Sequence, residues 1–563
     1  MLKSIRRDVL QWWKGPDKKY FCVMLGFAVV VYFPLMSQKL TNTFDGLWMD
    51  TYYIAGGWEL SIGRWLWPFA DALRFGVQTD PINSLLTLSL VTLSFILVRR
   101  LFTTKDSLLT YLLGMAFISS ASVSIQLSYR YMSPIFGLSL FLSAAAAYCV
   151  IRTKNKIRAV VQGTVCLALS LGLYQANLGS FCLILLVYFL MLLFQKPDRS
   201  LIHAHIAKSL CSAAAGVVLY YLTLKLVLLV TGFQMSEYNG AASVSPLYVL
   251  KRLPAGAARA YQIFGVYFFR NQYRNNILQA VGFFALIVLL VGFGLLKRFW
   301  RVVRSRDPEY ILLSAAALTV LPAICNVTLL ITSEAIWRLQ MAGALDLFIP
   351  LCILLLDVTR KEQPQNEKLR MAAIGGTVLL AGLIVYGNVY MRAVDQEAMY
   401  EGRKSLKTMT DRIADDLMDF GYFDGEERLP VVFVGRPSSN PAFLVREYYL
   451  YANTYAQIGR FWGGSDVARQ AWKSVFQNIT PVNLTYGRVE RYLEVYAESE
   501  TEQMPTYPQQ GYIRQIGDTV VVKISDDYKD ELTSVEEEEK PLSGFFELGQ
   551  VDNGFYEPRK DEE

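Results

Sequence analysis

The chain has 563 residues, 53% of them hydrophobic and 13% aromatic, with 55 Lys and Arg against 49 Asp and Glu and a formal net charge of +6. The positive excess sits mostly in short joints between apolar runs, where it sets membrane orientation, and this placement argues against nucleic-acid binding. All seven cysteines (Cys22, Cys149, Cys166, Cys182, Cys211, Cys325, Cys352) lie in or beside apolar runs, which excludes a disulfide-stapled external domain.

Crossing a bilayer takes roughly 17–25 mostly apolar residues. Such runs are predicted at about 20–37, 82–98, 108–125, 134–151, 157–174, 178–194, 206–231, 277–296, 310–331, 343–357 and 371–391. The basic start MLKSIRRDVLQWWKGPDKKY has no convincing small-residue cleavage site after it, so the first run is expected to stay as an anchor. Lys and Arg cluster at the N-terminus and near 99–105, 152–158, 196–199, 297–306 and 360–370, which is every second joint. Under the positive-inside rule these joints are cytoplasmic. A polytopic α-helical membrane protein of about eleven spans follows, with its N-terminus inside and everything after Met391 outside. The H-x-H of His203 and His205 falls in a cytoplasmic joint and reads as a solvated helix end, since a metal site needs more ligands.

Three expected outer segments are long. Residues 38–81 are too aromatic for a solvated linker and too charged to cross, so they are expected to lie along the membrane surface with tryptophans at headgroup depth. Residues 232–276 have the same character, with Lys251, Arg252, Arg259, Arg270 and Arg274 among tyrosines and phenylalanines. Outer cations suit either phosphate binding or snorkelling to anionic lipid. The third segment, 392–563, reads as a small extracytoplasmic α/β domain. It shows a polar helix near 394–420, strands near 429–435 and 519–525, helices near 442–458 and 465–479, and an acidic tail around the four glutamates Glu536–Glu539.

Ionisable groups beside membrane spans are functional suspects because burying them is costly. Asp45 and Asp50 follow the first run, and a carboxylate there can act as general base on a sugar hydroxyl; either can equally cap a following short helix. Arg64, Arg130 and Arg338 are candidate phosphate ligands at the same outer ends, joined by Arg270 and Arg274. Tyr174, Gln175 and Trp337 are candidate sugar contacts.

Asp45, the aromatic-glycine stretch to Trp58, the Gly63-Arg64-Trp65 triplet, the Leu-Gly-Leu-Tyr-Gln of 171–175 and Trp337-Arg338 together resemble the bacterial Gtr-type, serotype-converting membrane glucosyltransferases. The resemblance covers roughly 20–390 and implies a GT-C-like enzyme that takes a hexose, glucose in this family, from a polyprenyl-phosphate carrier. It implies transfer to a cell-surface glycan at the outer face of the bacterial cytoplasmic membrane, with an acidic first-loop residue as base. Relatives often carry adjacent acids there, whereas this chain has Phe44-Asp45-Gly46, so the base is either Asp45 or Asp50. On this reading, residues 1–391 form the transferase domain and the expected partners are the lipid-linked donor, the glycan acceptor and membrane lipid. A divalent metal, Mg or Mn, suits the carboxylates but is not required, since a lipid phosphate leaves without one. The competing classes are a lipid-linked glycan transporter or polymerase, for which Lys225 is the nearest charge within a span, and a non-catalytic assembly factor.

Overall fold

The computed structural model describes residues 15–528 apart from 44–45, 48–52, 78, 104–105, 237–241, 243–244, 270–285, 333–336, 361–366, 425–427, 444–448, 450, 460–464 and 481. The helices of eight or more residues are α1 Pro16–Val31, α2 Ile82–Phe102, α3 Leu108–Ile118, α4 Ala121–Ser128, α5 Ser133–Arg152, α6 Lys156–Leu173, α7 Leu178–Gln195 and α8 Arg199–Thr231. They continue with α9 Pro246–Phe269, α10 Leu286–Arg304, α11 Pro308–Ile324, α12 Gly343–Arg360, α13 Glu367–Asp419, α14 Ser465–Asn478 and α15 Val489–Ala497. Among the described residues seven helical segments are long and apolar enough to cross a membrane, or eight if α3 and α4, bent by 44° at their junction, count as one. The count of eleven expected from sequence is therefore not reached here. The first run gives only the 16-residue α1, 277–285 lie outside the described residues, and the 310–331 run breaks at Ile324 into α11 and the short helix Val327–Ile331.

Two pieces of the bundle explain its shape. At one end of α1–α3, buried Arg99 pairs with Asp17 and Asp106 while its guanidinium lies 4.3 Å from the Tyr20 ring, and Arg100 shares Asp17. Charges taken from water this way are tolerable because every one is matched. Elsewhere α4 is buried along its whole length, and its first turn is capped across the chain: the Asp346 carboxylate of α12 accepts the Ser122 N–H at 3.0 Å. A helix start buried in the core needs such an acceptor for its otherwise unmatched N–H groups.

The second long loop contains a helix not expected from the sequence. Residues 246–269 form α9, which donates its Tyr267 hydroxyl to Asp346 and packs on the Asn326–Ile331 segment, where Asn326 Nδ2 donates to Ala260 O at 3.3 Å. The stretch is amphipathic enough to join the bundle. His205 departs from expectation: it is buried and stacked on Phe189 rather than solvated, while His203 stays exposed beside Glu309.

The last expected span and the polar helix after it are one helix. α13 runs 53 residues, about 80 Å at 1.5 Å per residue against a hydrocarbon core of ~30 Å. Beside its distal half lies a three-stranded sheet of β1 Val431–Val434, β2 Ile513–Ile516 and β3 Thr519–Lys523, in the order β1-β3-β2. β1 and β3 are parallel with Val431 opposite Val520, and both are buried on both faces, β3 through three consecutive valines with buried Lys523 at its end donating to Glu502 O and Met504 O. The β2–β3 hairpin turns through Gly517-Asp518. The helix expected at 442–458 is met only in part where described: Tyr449 and Tyr451 are helical, but the stretch opens in turns, where Asn440 Oδ1 accepts the Ala442 N–H, and ends in the 3-10 turn Thr454–Ala456, after which the Gln457 amide donates to Tyr449 O and Ala452 O. Side chains that bond nearby backbone in this way compete with the helical ladder.

Replacing Arg99 by Leu would remove the buried cation between Asp17 and Asp106, leaving Asp17 with Arg100 alone. We expect destabilisation of about 3–5 kcal/mol, read as a lowered thermal unfolding midpoint in detergent, with Arg100→Leu costing less because Arg100 is 32% exposed.

Candidate functional site

The first loop folds on its own polar framework before it meets the bundle. Short helices Gly57–Ser61 and Trp67–Leu73 bracket the Gly63-Arg64-Trp65 triplet. Buried Glu59 caps the first of them by accepting the Gly56 N–H at 2.9 Å, and its other oxygen takes the Tyr53 hydroxyl. Burial, with Glu59 adding to it, pushes that hydroxyl above its ordinary range, so Tyr53 remains a donor. Buried Asp71 accepts the Ala55 N–H at 2.9 Å and the Arg74 Nε–H at 2.8 Å, and Arg74 reaches on to Tyr131 O. Burial raises the Asp71 carboxyl against the pull of Arg74. Both acids thus serve to hold the loop.

The triplet is then fixed against the Leu171–Gln175 motif. Gly63 has φ +86°, and a Cβ there would lie 2.5 Å from Tyr220 Oη and 2.9 Å from Gln175 Nε2. Those same two groups hold the turn: Gln175 Nε2 donates to Ile62 O at 2.9 Å and Tyr220 Oη to Gly63 O at 3.0 Å. Leu66 N–H donates to Gly172 O at 2.9 Å, and the Trp65 ring fills the space a side chain on Gly172 would need, with its Cε2 2.6 Å from that glycine's Cβ position. The two sequence motifs are one structural unit.

Between them sits Arg64. Its guanidinium carbon lies 5.3 Å from the Trp67 ring and 5.2 Å from the Tyr174 ring. Among the described residues it forms no ion pair, and its buried Nε has no hydrogen-bond partner; the buried Trp65 Nε1 is in the same condition. Arg and Trp nitrogens can only donate, and buried donors are nearly always matched. Trp67 Nε1 is in the same condition, and each of these donors would be matched by an oxygen acceptor from outside the described residues.

The remaining candidates fall into three groups. Arg130 is buried and its Nε donates to Asp80 Oδ2 at 2.6 Å, with Asp80 also accepting from Ser84; this pair ties the end of α4 to the start of α2. Trp337 is buried, donates Nε1–H to Asn326 Oδ1 at 3.1 Å and packs edge-on against Tyr267, while Arg338 is half-buried at the entry to the turn leading into α12. Tyr174 and Gln175 stand in the unit around Arg64. Asp45, Asp50, Arg270 and Arg274 lie outside the described residues. Their flanks are described: Asn42 N–H donates to Ser128 O at 3.3 Å, and Gly46 N–H to Asn42 Oδ1 at 3.2 Å. Asn42, on the near flank, therefore lies beside the end of α4, at Ser128, two residues before Arg130.

Sequence reasoning missed Asp71, Asp80, Tyr220 and Asp346. Asp80 and Asp346 find their partners 50 and 224 residues away, a separation that leaves no local pattern. Among the described residues no group of three His, Cys, Asp or Glu comes together to hold a metal ion.

The family model described as Glucosyl transferase GtrII matches residues 47–355, more than half of the chain and the part that contains both motifs. An uncharacterized 55.3 kDa protein in the gtrB 5′ region of Salmonella phage P22 is 25% identical over 234 residues, 40% of this chain and 46% of that protein. The chain thus spans about half the length of this curated relative. No solved structure matches.

Gly63→Ala should strain the turn and displace Tyr220 or Gln175. We expect a loss of about 1–3 kcal/mol in thermal unfolding and faster proteolysis of the first loop, whereas Gly26→Ala, with open space around its Cβ position inside α1, should be neutral or stabilising.

Proposed function

This chain belongs to the glucosyl transferase GtrII family, and from that premise we propose that it transfers glucose from a polyprenyl-phosphate carrier to a cell-envelope glycan at the outer face of the cytoplasmic membrane. The observation that carries the reading is Arg64: a guanidinium stacked between Trp67 and Tyr174, its Nε buried and unmatched among the described residues, at the junction of the two motifs. A fixed cation placed there meets the charge that develops on a departing lipid phosphate without reorganising. The paired rings keep it in position while its donors stay available.

In the proposed reaction the acceptor hydroxyl oxygen attacks the anomeric carbon from the face opposite the phosphate. The carbon–phosphate-oxygen bond breaks, its electron pair leaves with the phosphate, and the hydroxyl proton passes to Asp45 or Asp50. One displacement inverts the anomeric centre. Glu59, Asp71 and Asp80 are already committed to partners, which favours Asp45 and Asp50 among the first-loop acids as the base. Arg130, neutralised by Asp80, supports the site; Arg338, Arg270 and Arg274 are further phosphate ligands in this scheme, with Gln175 and Trp337 shaping the sugar pocket. The transporter reading gains nothing from Asp346, the buried acid near the start of α12, because it is engaged with Ser122 and Tyr267.

The orientation follows from charge sidedness. A cysteine at Ser438 should react with an impermeant thiol reagent in intact cells and one at Ser305 should not; the reverse labelling would rule out an outer-face site.

Two substitutions test the chemistry, measured as transfer of radiolabelled glucose from its polyprenyl phosphate into envelope glycan at matched protein levels. Asp45→Asn or Asp50→Asn should abolish transfer while binding of polyprenyl phosphate persists, and full activity in both would remove the proposed base. Arg64→Lys keeps the charge but loses the planar, stacked fork. We expect transfer to fall roughly tenfold or more and polyprenyl phosphate to bind more weakly.

A further inference from the structure

The region after residue 355 lies beyond the family match, yet it touches the first loop on both sides of residues 44–45. Thr43 N–H donates to Tyr455 O at 2.8 Å, and Leu47 O accepts the Ser474 hydroxyl. We infer that Tyr455 and Ser474 are positioning residues of the transfer site, setting the segment that carries the proposed base; this rests on the reading of Asp45 and Asp50 given above.

The strap is anchored, not merely adjacent. The 453–455 turn hangs from Asp395 on α13, a fully buried carboxylate. Asp395 Oδ1 accepts the Asn453 N–H at 2.8 Å, its Oδ2 accepts the Asn453 amide at 3.0 Å and the Tyr455 hydroxyl at 2.6 Å, and Arg392 stands 3.1 Å away. The Tyr455 hydroxyl also lies 3.1 Å from Ser124 Oγ on α4. α4 is the helix whose end holds Asn42 through Ser128, with Asn42 Nδ2 donating to Ser128 Oγ at 3.1 Å. The described flanks Asn42–Thr43 and Gly46–Leu47 are therefore held between α4 and the C-terminal region, and Tyr455 bonds to both. Ser474 belongs to α14, which packs Trp472 on Phe433 of β1 at 4.4 Å between ring centres. The sheet thereby backs the strap. A buried network in which both Asp395 oxygens and the Tyr455 hydroxyl are engaged favours one position for what it holds.

Catalysis tolerates displacement far less than folding does, since a shift of about 1 Å can cost on the order of 100-fold in rate. Removing one hydroxyl from the strap should leave the protein folded and slow the chemical step. The test uses the full chain in native membranes, with Ser474→Ala and Tyr455→Phe assayed for transfer of radiolabelled glucose from its polyprenyl phosphate into endogenous glycan. We expect kcat to fall about tenfold or more in each variant. KM for the donor and the affinity for polyprenyl phosphate should stay within about twofold, because Arg64 is untouched. Should Tyr455→Phe fail to accumulate, Ser474→Ala alone decides. Wild-type kcat, or a change confined to KM and polyprenyl phosphate affinity, overturns the positioning role while leaving the base intact so long as an aspartate variant is inactive. If neither Asp45→Asn nor Asp50→Asn lowers transfer, the reading beneath it fails instead.

Discussion

The Gln175 amide donating across to the Ile62 carbonyl, with Tyr220 doing the same to Gly63, is the constraint on which the site depends. It ties the loop between α1 and α2 to the break between α6 and α7, and the tie exists only because Gly63 takes a left-handed conformation with no side chain in the way. Arg64 then has no freedom of its own. Its backbone is set by the turn, its guanidinium by two rings, and the first loop's internal acids keep that geometry rather than neutralise it. A buried arginine is costly to maintain without a counter-ion, which is why the absence of an ion pair to Arg64 among the described residues carries meaning.

Much of the bundle is legible in the sequence because length and apolarity are local properties. The cores of α2, α5, α6 and α7 fall where the runs fall, and the strands 431–434 and 519–523 fall within the two stretches expected to be extended, although their parallel pairing is not a local property. What escapes sequence reading is anything decided by a distant partner. α9 reads as a surface-lying loop because its cations are conspicuous and its dock, the Asn326–Ile331 segment, is not. Hydropathy divides α13 at Met391, although helical hydrogen bonding continues through the change of surroundings. His205 looks solvated beside its neighbours in sequence, while its ring stacks on Phe189 of the preceding helix.

The site divides along the same line. Gly63–Trp65 and 171–175 stand out as motifs, and the structure joins them through backbone carbonyls that no side-chain pattern announces. Arg64 and Arg130 look equivalent in sequence, two outer arginines among aromatics. Asp80 separates them: one guanidinium is ion-paired, whereas among the described residues the other forms no ion pair and its Nε has no hydrogen-bond partner. Trp337, read as a sugar contact, gives its only donor to Asn326.

The uninterrupted course of α13 has a consequence for how this chain can change. Asn388 bonds to Ala116 on α3, Asp395 and Gln396 hold the 453–455 turn and the end of α1, Thr410 meets Thr480 at 2.6 Å, and Asp416 takes the Tyr512 hydroxyl at 2.6 Å. These contacts lie along one rod, so their angular phase is fixed by the number of residues between them. Each residue added or lost turns everything beyond it by about 100° and advances it about 1.5 Å. A single-residue change between Asn388 and Asp395 would therefore swing the whole sheet away from the first loop while preserving every local sequence around it. Only steps close to whole turns, such as roughly seven or eleven residues, return the parts to the same side. Length in this helix is under tighter constraint than composition, and two chains of this type could differ at most exposed positions of α13 yet be unable to differ by one.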